Sequence, residues 1–136
     1  MNSYERIMPL VGRISIGVLF IFTGTEKVMH FSGMVPFLAS KGMPLANVML
    51  ATALTIELLG ALCLITGFQT RIAALLIFLY LIPTTLMFHN FWAMQGAMRA
   101  DNQINFLKNL AIMGGLLMLA AYGPGELSID ASRAQT

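Results

Sequence analysis

The run from Gly42 to Thr70, GMPLANVMLATALTIELLGALCLITGFQT, decides how the rest of the chain is interpreted. Its only acidic or basic residue is Glu57, near the middle. About 20 apolar residues in a helix cross the hydrocarbon core of a bilayer, so this run is long enough to span a membrane with a carboxyl group at mid-depth. A charge at that depth costs at least ~2.5 kcal/mol on insertion scales. Glu57 must therefore face other helices, pair with a cation or stay protonated.

The composition of the whole chain indicates the same class of protein. Of its 136 residues, 57% are hydrophobic and 10% are charged, which is too apolar for an ordinary soluble domain. We therefore expect an integral membrane protein that lies in a lipid bilayer and forms one domain over residues 1–136. The net charge of +2 comes from few basic residues, so it does not indicate nucleic-acid binding, which requires a basic patch.

The hydrophobic pattern predicts four spans, at about residues 8–29, 45–66, 72–91 and 104–122. The connection between the second and third spans is short, so these two should be antiparallel neighbours. The connection at 30–44 is long and partly apolar, which predicts a short helix in the membrane interface. We therefore predict an all-α fold, an integral membrane antiparallel four-helix bundle with that short helix between spans one and two.

Antiparallel order places both termini on one side and gathers polar residues on the other. The gathered residues are Glu26, Lys27, His30, His89, Trp92, Arg99, Asp101, Asn105, Lys108 and Asn109. Glu57 lies beneath them, deeper in the membrane. This end of the bundle is the predicted functional end.

Basic residues divide equally between the two sides, so a plain count does not orient the protein. The terminal side has Arg6, Arg13, Arg71 and Arg133, and the other side has Lys27, Lys41, Arg99 and Lys108. If Glu57 holds Lys27 and Lys108 inside the bundle, those two lysines do not count. Both termini are then predicted to lie in the cytoplasm.

Six short motifs occur in order along the chain: Gly24-x-x-Lys27, Gly42-Met43-Pro44, Glu57, His89-x-Phe91-Trp92, Asn105-Phe106-Leu107-Lys108-Asn109, and Gly123-Pro124-Gly125 with Ser128 and Asp130. Together they resemble the DoxX family of small bacterial inner-membrane proteins, over nearly the whole chain. The resemblance implies a four-helix protein of the bacterial cytoplasmic (inner) membrane. For activity, it implies a link to a thiosulfate:quinone oxidoreductase and to membrane complexes of oxidative stress.

The polar residues around Glu57 suit a quinone, which needs hydrogen-bond donors at its carbonyls and a route for protons. Glu57 and His89 are the candidate catalytic residues, with Glu57 relaying protons and His89, like the lysines, donating a hydrogen bond. The candidate residues that bind or orient the ring are Lys27, Trp92, Asn105, Lys108 and Asn109. In the alternative interpretation, Glu57 is a structural ion pair or a neutral acid that fixes helix register.

Other redox and metal chemistry finds less support in the sequence. Cys63 is the only cysteine, which excludes a disulfide or dithiol mechanism within the chain. The eleven methionines and two histidines offer soft ligands for Cu(I), but they show no repeated spacing. We predict no metal site, and quinone is the only cofactor that the residues suggest.

Three functions are compatible with these observations. The chain is a quinone-linked subunit of a membrane oxidoreductase, a non-catalytic subunit that assembles or stabilises a larger complex or homo-oligomer, or a passage for protons or small solutes with Glu57 as its gate. The sequence does not decide whether this chain is itself an enzyme.

Overall fold

The computed structural model describes residues 2–134, and it contains no strand within them. The helices are α1 Ser3–Met29, α2 Phe31–Ser40, α3 Ala46–Thr66, α4 Thr70–Phe88, α5 Gly96–Tyr122 and α6 Ile129–Arg133, with a 3-10 turn at Phe91–Ala93. Four of them, α1, α3, α4 and α5, are long and apolar enough to cross a bilayer. The predicted all-α membrane fold, with a short helix between the first two spans, is confirmed.

Two helices begin before the apolar segments from which they were predicted. α1 begins at Ser3, where the backbone N–H of Asn2 donates to Glu5 as part of a capping box. α5 begins at Gly96 and includes the exposed, charged residues Arg99 and Asp101 before its apolar part. Apolar runs therefore mark the membrane-crossing part of each helix, whereas its ends are set by capping and turn geometry.

The four long helices pack in chain order around the bundle. α1 packs chiefly on α3, α3 on α4, and α4 on α5, whereas α1 meets α5 over a short stretch only. Glycines allow the closest approaches, because a Cβ at Gly17 would lie 2.5 Å from Ile65 of α3 and one at Gly60 would lie 2.8 Å from Ile77 of α4. Helices in lipid associate through such small residues, since burial there has little hydrophobic drive.

The half of the bundle nearest the termini is filled by apolar side chains. The buried members of this core are Phe20, Ala61, Leu64, Ala73, Ala74, Ile77, Leu81, Met113, Leu116 and Leu119. They come from all four long helices. The terminal half is therefore a packed base, and space for a site remains only above it.

Arg13 closes the terminal end of this base. Its side chain is 1% exposed, and Nη1 donates to the carbonyls of Leu64 at 3.2 Å and Ile65 at 3.1 Å, at the end of α3. Nη2 donates to the carbonyl of Leu127, in the segment that follows α5. One guanidinium thus joins α1, α3 and the C-terminal segment, using the fixed fork of donors that arginine provides.

Asp130 makes the matching contact to α4. Its two carboxylate oxygens accept from the backbone N–H groups of Gln69 at 2.8 Å and Thr70 at 3.0 Å, where α4 begins and its N–H groups lack helical partners. Its own N–H donates to the carbonyl of Gly67. The C-terminal segment is therefore docked against the bundle, so both chain ends lie on the same side.

Gly67 is required at the point where these contacts meet. Its φ of +72° is in the left-handed region, and a Cβ there would lie 2.2 Å from Arg13 Nη1 and 2.4 Å from Ser128. No side chain fits without displacing the arginine.

Replacing the buried arginine should destabilise the fold. Arg13→Met leaves three buried or partly buried carbonyls without their charged donor, so we expect a loss of ~3 kcal/mol or more in the free energy of unfolding. Thermal unfolding in detergent micelles measures it. The control is Arg6→Met, because Arg6 forms an exposed ion pair with Glu126 and should matter little. Equal unfolding temperatures for the two variants would contradict the role given to Arg13.

Candidate functional site

A cavity of about 550 Å³ lies between α1, α3, α4 and α5 in the half of the bundle away from the termini. α2 covers it with Met34, Phe37 and Leu38. Its walls are mostly apolar. The polar residues that line it are Thr23, Lys27, Thr52, Glu57, Tyr80, Thr84, His89, Lys108 and Asn109.

The carboxyl group of Glu57 is the centre of the polar part of this cavity. Glu57 is 1% exposed, halfway along α3. Its Oε1 forms an ion pair with Lys27 Nζ of α1 and accepts a hydrogen bond from the Tyr80 hydroxyl of α4. Three helices therefore converge on a single carboxylate oxygen. Of the environments expected for Glu57, the structure shows pairing with a cation, and that cation is Lys27.

The second oxygen of Glu57 is left without a protein partner. Oε2 is buried and has no hydrogen bond to any of residues 2–134. A Cβ at Gly24 would lie 3.5 Å from this oxygen, so the glycine leaves it room on the side of α1. A buried acceptor without a donor is costly, and so Oε2 is where a proton or a donor group would be most stabilised.

The polar residues at the far end of the cavity pair among themselves. His89 follows the end of α4, with Nδ1 3.0 Å from Asn102 Oδ1 of α5. Asn109 Nδ2 donates to Thr85 Oγ1 at 3.0 Å, which ties α5 to α4 inside the bundle. These contacts hold the last turn of α4 against α5. They lie at the end of the cavity that is lined by His89, Lys108 and Asn109, which we call its mouth.

Five of the seven predicted site residues line the cavity: Lys27, Glu57, His89, Lys108 and Asn109. Trp92 and Asn105 do not. Trp92 is 56% exposed and packs edge to face on Phe91 and Phe106, with ring centroids 5.3 and 5.8 Å away. The 3-10 turn explains its position, because α4 ends at Phe88 and Trp92 no longer continues the face of that helix.

Lys108 does not reach Glu57. It is exposed and donates to Asn105 Oδ1 at 2.9 Å on its own helix. Lys108 was left out of the count of basic residues because Glu57 was expected to hold it inside the bundle. The structure removes that reason. With Arg13 and Lys27 committed inside the bundle, the remaining basic residues are again balanced: Arg6, Arg71 and Arg133 on the terminal side, and Lys41, Arg99 and Lys108 on the other.

Tyr80 belongs to the site although the sequence interpretation did not include it. It is a lone phenol in the apolar run of α4, which reads as an ordinary core residue. The positions of Tyr80 and Glu57 in the hairpin of α3 and α4 could have indicated this contact. Glu57 and Tyr80 are equally far along the chain from the centre of the turn at 67–70, and such residues face each other when two helices run antiparallel.

Comparison with known proteins gives consistent matches. The DoxX family model matches residues 8–90. The Escherichia coli protein "Inner membrane protein YphA" is 37% identical over 124 residues, 91% of this chain and 89% of that protein. "Inner membrane protein YqjF", also from Escherichia coli, is 36% identical over 130 residues, 96% and 95% of the two chains. "Putative oxidoreductase CatD" of Bacillus subtilis is 33% identical over 82 residues, 60% of each chain. No solved structure matches.

Closing the space beside Glu57 should disturb the site. In Gly24→Ala the new methyl group would lie 2.6 Å from Leu58 Cδ2, so either the Leu58 side chain or α1 must shift where Lys27 meets Glu57. We expect a loss of ~1–3 kcal/mol, as for other overpacked positions, measured by thermal unfolding in micelles. Gly12→Ala is the control, since a Cβ there meets nothing within 4 Å. If both variants unfold at the same temperature, the close contact at Gly24 does not exist.

Proposed function

This chain belongs to the DoxX family of membrane proteins, and on that basis we propose that it binds a quinone in the cavity around Glu57, as a subunit of a membrane oxidoreductase. The observation that carries the proposal is a buried carboxyl group joined to an amine and a phenol at the wall of an apolar, membrane-embedded cavity. Two of its relatives are named as inner membrane proteins, and a third is named "Putative oxidoreductase CatD".

The walls and the polar groups of the cavity suit the two parts of a quinone. The ring is flat and apolar, and methionines such as Met34, Met43 and Met87 give the cavity an adaptable apolar lining. The ring carbonyls need donors. Lys27 has three N–H groups, so it can keep its bond to Glu57 and donate another to a carbonyl oxygen.

Glu57 is the proposed relay of protons to the bound ring. Reduction of a quinone to a hydroquinone takes two electrons and two protons, and an apolar cavity holds few water molecules that could supply protons. Lys27 or Tyr80 gives its proton to a ring oxygen, and the Glu57 carboxylate, after taking up a proton from the aqueous side, passes that proton back to the group that gave it; both groups contact Oε1. The electrons come from a redox cofactor on a partner protein.

The remaining predicted site residues divide by position. His89, Lys108 and Asn109 line the cavity and can contact a bound ring or its side chain. Trp92 and Asn105 lie outside the cavity, so in this proposal they support the surrounding loop and helix rather than touching the ligand.

Quinone binding should depend on the carboxyl group and on the phenol. We expect Glu57→Gln and Tyr80→Phe to weaken the binding of a short-chain ubiquinone or menaquinone analogue at least tenfold, about 1.4 kcal/mol, because each change removes part of the polar cluster. Isothermal titration of purified protein in micelles measures the affinity.

The matched controls replace a carboxylate and a phenol that lie outside the cavity. Glu126→Gln and Tyr122→Phe alter exposed side chains on the terminal side, and their affinities should equal that of the unmodified protein. If Glu57→Gln and Tyr80→Phe remain folded and bind as tightly as these controls, the ion pair with Lys27 is structural and the quinone site is rejected.

The orientation with both termini in the cytoplasm stays a prediction. A fluorescent protein fused after Thr136 folds and fluoresces in the cytoplasm, whereas alkaline phosphatase fused there is active only outside it. We expect the fluorescent fusion to be bright and the phosphatase fusion to be inactive in a bacterial host. The opposite pair of results would place the mouth of the cavity on the cytoplasmic side.

A further inference from the structure

The side-chain amide of Asn102 is held in one orientation by two contacts. Nδ2 donates to the carbonyl of Met98 at 2.9 Å, one turn earlier on α5. Oδ1 lies 3.0 Å from His89 Nδ1. Exchanging the two amide atoms would place Oδ1 against the Met98 carbonyl, two acceptors facing each other, so the orientation is fixed by chemistry.

This orientation sets the protonation of the histidine ring. An amide oxygen can only accept, so Nδ1 of His89 must carry the hydrogen. A neutral imidazole has one N–H group, and Nε2 is then the acceptor. His89 lines the cavity while Asn102 does not, and with Nδ1 bonded to Asn102, Nε2 is the ring nitrogen that remains for a ligand.

Two other polar groups near this end are donors, each with one acceptor in the protein and further N–H groups left to donate. Lys108 Nζ donates to Asn105, and Asn109 Nδ2 donates to Thr85. His89 comes nine positions after Tyr80, a rise of about 13 Å along the helix, so His89 is distinct from the Glu57 cluster. His89 thus contributes a separate acceptor at the mouth of an elongated cavity.

We infer that Asn102 is a positioning residue that presents His89 Nε2 to the cavity as an acceptor, so that the mouth selects ligands carrying a hydroxyl or N–H donor. This reverses the role of donor that the sequence suggested for His89. The identity of the ligand rests on the proposed function: an oxidised quinone offers only acceptors, whereas its hydroquinone offers hydroxyl donors. The cavity should therefore hold the reduced ring more tightly than the oxidised ring.

The protonation of His89 can be measured without any ligand. The chain has two histidines, so His30→Gln leaves His89 as the single source of imidazole signals. Nitrogen-15 NMR of this variant in micelles should show the tautomer protonated at Nδ1. Asn102→Leu should lose that preference. A ring protonated at Nε2, or at both nitrogens, near neutral pH would overturn the inference.

Ligand titrations test whether a bound ring donates a hydrogen bond to His89 Nε2. Titrations compare a short-chain hydroquinone under anaerobic, reducing conditions with its oxidised form and with its dimethyl ether, which has no donor. We expect the hydroquinone to bind about tenfold more tightly than either, the effect of one additional hydrogen bond in a dry site. Asn102→Leu should abolish the preference by weakening only the hydroquinone.

Controls separate this inference from the proposed function. Gln103→Leu removes an exposed amide on the next residue of α5, which does not line the cavity, and should keep the preference for the hydroquinone. If Glu57→Gln weakens all three ligands while Asn102→Leu leaves the preference unchanged, the inference is overturned and the proposed function stands. If no ring binds to the unmodified protein, the proposed function fails, and selection of hydroquinone fails with it.

Discussion

A carboxyl group placed halfway across a membrane must be satisfied by the protein, because lipid offers neither charge nor hydrogen bonds. In this structure Lys27 and Tyr80 provide both to Glu57, each from a different neighbouring helix. The position of α1 and of α4 relative to α3 is thereby fixed at the middle of the bundle. Gly24 permits α1 to come close enough for the lysine to reach inward. The cavity exists beside this cluster because the same contacts hold three helices apart on one side of it.

The bundle is consequently built in two unlike halves. The half near the termini is packed with apolar side chains and closed by Arg13 and Asp130, which engage helix ends through charged hydrogen bonds. The other half contains the cavity, whose mostly apolar walls include a few polar groups, and the short helix α2 covers it. A rigid base allows this half to keep a cavity without losing the register of its helices.

Hydropathy and helical periodicity were sufficient to predict the four spans, the short helix α2 and the burial of Glu57. They failed where side chains act across the bundle. Arg13 was counted only as a basic residue of the terminal side, since nothing local distinguishes an arginine that binds carbonyls from one that faces headgroups. Trp92 was placed among the site residues, but it lies in the 3-10 turn after α4 and does not line the cavity. Tyr80 was missed because its partner is on another helix, and only the symmetry of the hairpin points to it.

The docking of the C-terminal segment bears on how the protein is made. Arg13 and Leu127 are 114 residues apart in sequence, yet they form one contact at the base of the bundle. A ribosome must release nearly the entire polypeptide before this contact can form. Until then the Arg13 guanidinium lacks the carbonyl of Leu127 as an acceptor, and the first N–H groups of α4 lack the carboxylate of Asp130. The segment that follows α5 thus joins the base last, after the helices that it connects have been synthesised.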